Sequence, residues 1–305
     1  MPDRIICRVL TGPTASGKSG FALEIAARTG WDILCMDSMQ IYRRMNIGTA
    51  KPTAEEQRLV PHHLLDIRDP EESFSVSEYI PEAERIIRQL HHSGREVLFV
   101  GGTGLYLQAM MMPMGMGNVP ANPGLREELN LLALTEKGKR ALHSRLEKCD
   151  PDTAARLPLN DVRRVIRAIE VTEATGIPFS HQEERPAASP FEWRVVSLAM
   201  DRNTLYERIN RRVSRMFRDG LEEEVRGLLS DGVPETAQSM CALGYKEMIP
   251  YIRGMITAEQ AADAIRTGSR HYAKRQMTFL KRIPNIRSVD ACTPDACSHI
   301  REILA

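Results

Sequence analysis

The sequence predicts an α/β fold: a parallel sheet flanked by helices, with an all-helical insertion domain. Three observations carry this. Short apolar runs alternate with helix-patterned segments over residues 5–110, and continuously apolar strands belong to sheets covered on both faces. A glycine-rich loop joins the first such strand to the first helix. From Leu125 to Thr175 the pattern is helical throughout, before one more core-like strand at Arg194–Met200.

In order along the chain, Ile5–Leu10 reads as a buried strand and runs into Gly12-Pro13-Thr14-Ala15-Ser16-Gly17-Lys18-Ser19. The helix after it uses Phe21, Leu23, Ile25 and Ala26 as apolar positions and closes at Gly30. Ile33–Met36 is a second strand, ending on Asp37. Ile80, Ala83, Ile86, Ile87 and Leu90 predict a helix over 77–92, with Gly94 beyond it. Val97–Val100 is a third strand, ending in Gly101-Gly102-Thr103-Gly104 before another helix. The methionine-rich run Met110–Met116 reads as a loop in preference to an apolar ligand wall. Long helical stretches follow at Thr204–Leu229 and Ala258–Arg282. The expected division is a discontinuous core of 1–112 and 194–285, a helical insertion of 113–193 and a tail of 286–305.

Composition excludes several classes. No run of eighteen apolar residues exists, so no membrane span is expected. A chain that enters a strand and a glycine loop so early does not have a signal-peptide layout. Six scattered cysteines in 305 residues make no disulfide framework. A soluble, cytoplasmic protein is expected. The net charge of +1 hides an asymmetry: no Asp or Glu falls between Ala264 and Val289, where Arg266, Arg270, Lys274, Arg275, Lys281, Arg282 and Arg287 do.

Gly12-x-x-x-x-Gly17-Lys18-Ser19 fits the phosphate-loop pattern in the strand–loop–helix setting it requires. The predicted sheet is therefore P-loop NTPase-like. Glycines let successive N–H groups face phosphate oxygens, the helix N-terminus adds partial positive charge, Lys18 a full one, and Ser19 a hydroxyl for Mg2+. A P-loop nucleotidase also offers its metal a strand-end carboxylate, but strand 97–100 ends in Gly-Gly-Thr-Gly. The nearest strand-end acid is Asp37, facing the crevice where ligands of such sheets sit. On the residues alone, Asp37 is a metal ligand, a general base toward an acceptor attacking a diphosphate ester, or simply a helix cap.

Further motifs follow in order: Asp37-Ser38-Met39-Gln40-Ile41-Tyr42, Gly48-Thr49-Ala50-Lys51-Pro52, His62-His63-Leu64-Leu65-Asp66 and Phe74-Ser75-Val76. Then come Gly101-Gly102-Thr103-Gly104-Leu105-Tyr106, Asn160-Asp161 with Arg164 and Arg167, Gly244-Tyr245-Lys246-Glu247, and Tyr272-Ala273-Lys274-Arg275-Gln276. With the phosphate loop, these make the chain resemble the tRNA dimethylallyltransferase (tRNA isopentenyltransferase) family, bacterial type without a zinc finger, from residue 12 to about 282.

The resemblance implies transfer of a dimethylallyl group from dimethylallyl diphosphate to the exocyclic amine of an adenosine in tRNA. The acceptor it implies lies immediately 3′ of the anticodon, in tRNAs reading U-starting codons. Gly12, Thr14, Ala15, Ser16, Gly17, Lys18 and Ser19 would cradle a leaving diphosphate in place of ATP, with Ser19 on Mg2+. Asp37 would be the base at the amine, and Thr103 would support the diphosphate or reacting centre. An Arg-x-x-x-Arg anion clamp falls on Arg208 and Arg212, four apart and so on one helix face, with Arg212 preferred. Arg211, Arg215 and Arg218 compete for that place.

For the tRNA anticodon stem-loop, the resemblance points to Asp37, Ser38, Met39, Gln40 and Thr103 at the target base. It adds Arg126, Arg163, Arg164 and Arg167 in the insertion, then Gly244, Tyr245 and Lys246. Lys274, Arg275, Gln276, Thr278, Lys281 and Arg282 complete the set. Arg266, Arg270 and Lys274 stand at i, i+4 and i+8, a basic ridge suited to a phosphate backbone and to salt-dependent binding. A stacked adenine has to flip into a channel to reach Asp37.

Tyr272 and Phe279 are candidates for base stacking or for the core, Phe279 standing where the family often has Trp. Cys292, Cys297 and His299 lack a fourth ligand at finger spacing, so no zinc site is expected, and His62-His63 reads as structural. Rival readings are a P-loop small-molecule kinase, a free-nucleotide isopentenyltransferase and a tRNA-binding protein with a vestigial loop. A monomer without membrane association is expected.

Overall fold

The computed structural model describes residues 4–112, 119–182 and 189–305, so most of the methionine-rich run lies outside the described residues. The described strands form one parallel sheet: β1 (Ile6–Thr11), β2 (Asp32–Cys35), β3 (His62–His63), β4 (Val97–Val100), β5 (Glu192–Ala199) and β6 (Arg287–Asp290). Their spatial order is β3-β2-β4-β1-β5-β6. Val9 and Leu10, Ile33 and Leu34, and Leu98 and Phe99 are all buried. Successive side chains point to opposite faces, so both faces of the sheet are covered. The continuous apolar runs are the cause.

Helices α1 (Lys18–Thr29), α2 (Ala54–Leu59), α3 (Val76–His92) and α4 (Gly104–Met111) precede the insertion. The insertion holds α5 (Pro123–Leu132), α6 (Glu136–Cys149), α7 (Pro151–Arg156) and α8 (Val162–Thr175). After β5 come α9 (Arg202–Arg218), α10 (Leu221–Ser230), α11 (Tyr245–Ile252), α12 (Ala258–Leu280) and α13 (Ala296–Leu304). Local signals set several ends. A capping box of Ser75 and Glu78 starts α3, and left-handed Gly30 stops α1. The helical stretch expected over 204–229 holds two helices, because Gly220 adopts φ 99° between α9 and α10.

The chain divides into two compact units, residues 1–111 with 189–305, and residues 112–188. The second unit packs Leu129, Leu142, Leu146, Val165, Ile166 and Ile169 into its own core. Buried beside them is Glu170, which accepts from Arg126 Nε and Nη2 at 2.8 and 2.7 Å, from Arg167 Nη1 at 2.6 Å and from the Asn122 N–H at 2.7 Å. A buried carboxylate needs such partners. Arg126 and Arg167, implied as tRNA contacts, are therefore held by Glu170. Arg163 and Arg164 are exposed, Arg164 pairing with Asp161 at 3.2 Å.

The expectation of a tail at 286–305 is corrected. β6 pairs with β5, and Val289, Ala296, Ile300 and Leu304 join the core cluster that contains Leu10 and Val196. Arg8 Nε donates to the Leu304 carbonyl at 2.8 Å. A four-residue strand with one buried side chain carries too little periodicity to be read in advance. Among the described residues no helix is long and apolar enough to cross a membrane.

Candidate functional site

Strands β2, β4 and β1 are neighbours, so the loops leaving their carboxyl ends meet. After β1, Ala15 adopts φ 63° and Gly17 φ 95°, and the first N–H groups of α1 have no acceptor within the helix. The Ser16 hydroxyl is buried without a partner among the described residues. Lys18 Nζ donates to the carbonyls of Gly12 and Pro13 at 3.0 and 2.8 Å. Burial first, and then the charge of Arg212, push the Lys18 ammonium down to about 8, against the opposing pull of Asp37.

After β2, Asp37 Oδ1 accepts the Met39 N–H at 2.9 Å. No helix follows, so the capping alternative falls away. After β4, Thr103 Oγ1 accepts the Ser38 N–H at 3.0 Å, and the Thr103 N–H donates to the Met36 carbonyl at 3.2 Å. The two loops approach this closely because residue 101 is glycine: a Cβ there would lie 2.0 Å from the Met36 carbonyl oxygen.

Helix α9 supplies the cations. Arg208 Nη1 donates to the Ser16 carbonyl at 3.2 Å. Arg212 Nη1 donates to Thr14 Oγ1 at 3.3 Å, and its Nη2 to the Thr49 carbonyl at 3.4 Å. Arg211, Arg215 and Arg218 are exposed, so of these five arginines Arg208 and Arg212 are the two on the helix face turned to the phosphate loop. Burial lowers the Arg212 pKa, while Asp37 acts in the opposite direction.

Gln276 holds two loops together. Implied as a tRNA contact, it is buried at the cavity wall, accepting the Thr14 N–H on Oε1 at 2.8 Å and donating from Nε2 to the Gly102 carbonyl at 2.9 Å. It staples the phosphate loop to the turn after β4. Gln40 likewise spends its amide N–H groups on the Thr49 and Ala50 carbonyls, at 3.2 and 3.1 Å. Tyr245 is buried, with its hydroxyl donating to Glu224 at 2.6 Å.

These loops and α9, α11 and α12 enclose a cavity of about 310 Å3. Thr14, Lys18, Ser19, Asp37 and Arg212 line it together with Ser38, Met39 and Gln40. Ile209, Val213, Met216, Leu243 and Ile265 give it an apolar wall, and Lys246, Tyr272 and Arg275 complete the lining. Ser19 and Asp37 offer oxygens to one space, and Mg2+ commonly takes one or two protein oxygens beside phosphate oxygens. The residues fit that ion.

The basic ridge is partly self-satisfied. Arg266 pairs with Glu259 and Asp263 at 2.7 and 2.6 Å. Arg270 donates to Asn210 Oδ1 at 2.9 Å and lies over the Tyr206 ring. Lys274, Arg275, Thr278, Lys281 and Arg282 are exposed. Phe279 packs on Gly104, where a Cβ would meet its ring at 2.4 Å, which favours packing over base stacking. Sequence reasoning missed Glu170, one of two acids on α8, and Glu224, the last of three successive glutamates on α10.

The family model described as IPP transferase matches residues 40–283. A tRNA dimethylallyltransferase of Halalkalibacterium halodurans is 43% identical over 307 residues, covering 99% of this chain and 96% of that one. The crystal structure of the full-length tRNA isopentenylpyrophosphate transferase from Bacillus halodurans superposes with a TM-score of 0.72 at 40% identity, covering 99% of this chain and 95% of that one. A eukaryotic dimethylallyltransferase acting on tRNA superposes with a TM-score of 0.79 at 26% identity, covering 98% of this chain and 78% of the other.

Proposed function

This chain belongs to the IPP transferase family, and on that premise we propose that it transfers a dimethylallyl group from dimethylallyl diphosphate to an adenosine of tRNA. The acceptor is the exocyclic amine of the adenosine immediately 3′ of the anticodon, in tRNAs reading U-starting codons. The observation that carries this is one cavity lined both by Asp37, Thr103's neighbour Ser38, Lys18 and Arg212 and by the apolar Ile209, Val213, Met216, Leu243 and Ile265. β4 ends without a carboxylate, which suits a diphosphate cradle better than a nucleotidase.

In the proposed reaction the amine nitrogen bonds to C1 of the dimethylallyl group while the C1–O bond breaks. The diphosphate leaves with the electron pair, and the amine proton passes to the Asp37 carboxylate. The Met39 N–H fixes the orientation of that carboxylate. Lys18, Arg208, Arg212 and the first N–H groups of α1 meet the charge growing on the diphosphate. Ser19 would hold Mg2+, which when bound neutralises part of that charge.

Exposed Arg163, Arg164, Lys246, Lys274, Arg275, Lys281 and Arg282 supply cations for the tRNA backbone. The protein acts as a cytoplasmic monomer. The test is incubation of purified protein with Mg2+, labelled dimethylallyl diphosphate and unmodified tRNA. Label should map to the adenosine after the anticodon, whereas label on AMP in place of tRNA overturns the reading.

A further inference from the structure

Glu224, on α10, gathers four donors that belong to two separate segments of the cavity wall. Its Oε2 accepts the N–H groups of Asn46 and Ile47, each at 2.8 Å, and its Oε1 accepts the Gly48 N–H at 3.1 Å. The same Oε1 takes the Tyr245 hydroxyl at 2.6 Å. Three successive backbone N–H groups turned toward one carboxylate form an anion nest filled from within the protein. Charge-assisted bonds of this kind are about twice as strong as neutral ones.

The nest lies just before a functional carbonyl. Gly48, Thr49 and Ala50 line the cavity, and the Thr49 carbonyl accepts from Arg212 Nη2 and from Gln40 Nε2. Gly48 lies against the ring of buried Tyr245, where a Cβ would come within 2.3 Å of Cε2. With Glu224 bound to its N–H groups on one side and Tyr245 packed on the other, the 46–50 turn has one place to be. Arg212 then has a fixed acceptor on one nitrogen while its other reaches Thr14 in the phosphate loop.

Resting on the proposed function, we infer that Glu224 is a positioning residue for diphosphate binding, aiming Arg212 at the phosphate loop through the Thr49 carbonyl. Glu224→Gln keeps the side chain's shape but replaces one acceptor oxygen with a donor facing N–H groups. The turn is then released and Arg212 loses its aim.

The test is a double-mutant cycle, read by calorimetric titration of the full chain with inorganic pyrophosphate and Mg2+. In the wild-type background Glu224→Gln should weaken pyrophosphate binding roughly tenfold, and in an Arg212→Ala background by less than about twofold. The exposed neighbour change Glu223→Gln should leave affinity unchanged. Equal losses in both backgrounds would show that Glu224 does not act through Arg212 and overturn the assignment. Glu224→Asp, which keeps the charge and withdraws it by one methylene, carries the same comparison if the glutamine variant does not fold. Failure of both to fold would make Glu224 a fold residue and also overturn it. Absence of label transfer to tRNA by the wild-type chain refutes the proposed function, whereas an additive cycle in an active enzyme refutes only the role of Glu224.

Discussion

Arg212 Nη1 lies 3.3 Å from Thr14 Oγ1, although 198 positions separate the two residues in sequence. That contact sets a guanidinium from α9 against the phosphate loop, where the N-terminus of α1 already concentrates positive charge. Arg208 makes the parallel contact one turn earlier, at Ser16. The loop therefore combines backbone dipoles from one helix with two full charges from another.

Arg212→Ala should lower kcat/KM for dimethylallyl diphosphate by roughly 100- to 1000-fold, the scale of losing a donor aimed at developing charge. Arg211→Ala, one residue away but exposed, should change it less than about twofold. Steady-state kinetics on both variants checks this, and equal losses would contradict it.

Gln276→Ala removes the acceptor of the Thr14 N–H and the donor to the Gly102 carbonyl. The expected loss is about 1–3 kcal/mol of pyrophosphate affinity, with tRNA affinity unaltered. Calorimetry and filter binding separate the two. A fall in tRNA affinity alone would make Gln276 a nucleic-acid contact after all.

Pyrophosphate affinity should depend on the Lys18 charge. Burial and Arg212 hold this ammonium at about 8, below its ordinary 10.5. Above pH 8 the free protein carries a growing share of neutral lysine, so binding an anion requires proton uptake and weakens by up to roughly tenfold per pH unit. Titration in buffers of different ionisation enthalpy at pH 8.5 should show that uptake. The sign for the unliganded fold is opposite: a cation with a lowered pKa adds stability as pH rises from about 8 toward 10.5.

The helical insertion should be acid-sensitive through Glu170. Burial alone would raise its pKa, but Arg126, the Asn122 N–H and Arg167 outweigh burial and hold it below its ordinary value. The stability it contributes is present above the unfolded carboxyl pKa and disappears as pH falls through the lowered one. Glu170→Ala should destabilise the fold by about 1–3 kcal/mol at neutral pH, by removing the shared acceptor of two partly exposed arginines and the Asn122 N–H. Thermal melts at pH 7 and pH 3 check both, the variant showing the smaller acid effect.

The sheet and its phosphate loop were legible because their signals are local: apolar runs, glycines and a lysine at fixed offsets. Asp37 and Thr103 were legible as strand-end residues, since parallel strands deliver their carboxyl ends to one edge. What stayed hidden depends on partners far away in sequence. Gln276 and Tyr245 belong to motifs that resemble nucleic-acid contacts, but the groups that bind them, Thr14 and Glu224, are chosen by packing. Arg266 read as a free cation because charge spacing does not say which acids fold back onto it. The last strand stayed hidden because only Val289 of its four residues is buried.

Single-turnover transfer from labelled dimethylallyl diphosphate to unmodified tRNA, by the wild-type protein and by Asp37→Asn, tests the central claim most directly. The wild type should label the adenosine after the anticodon, and Asp37→Asn should bind both substrates but transfer at least roughly 100-fold more slowly, the loss expected of a general base. Transfer by Asp37→Asn at the wild-type rate would contradict the assignment of the proton to Asp37.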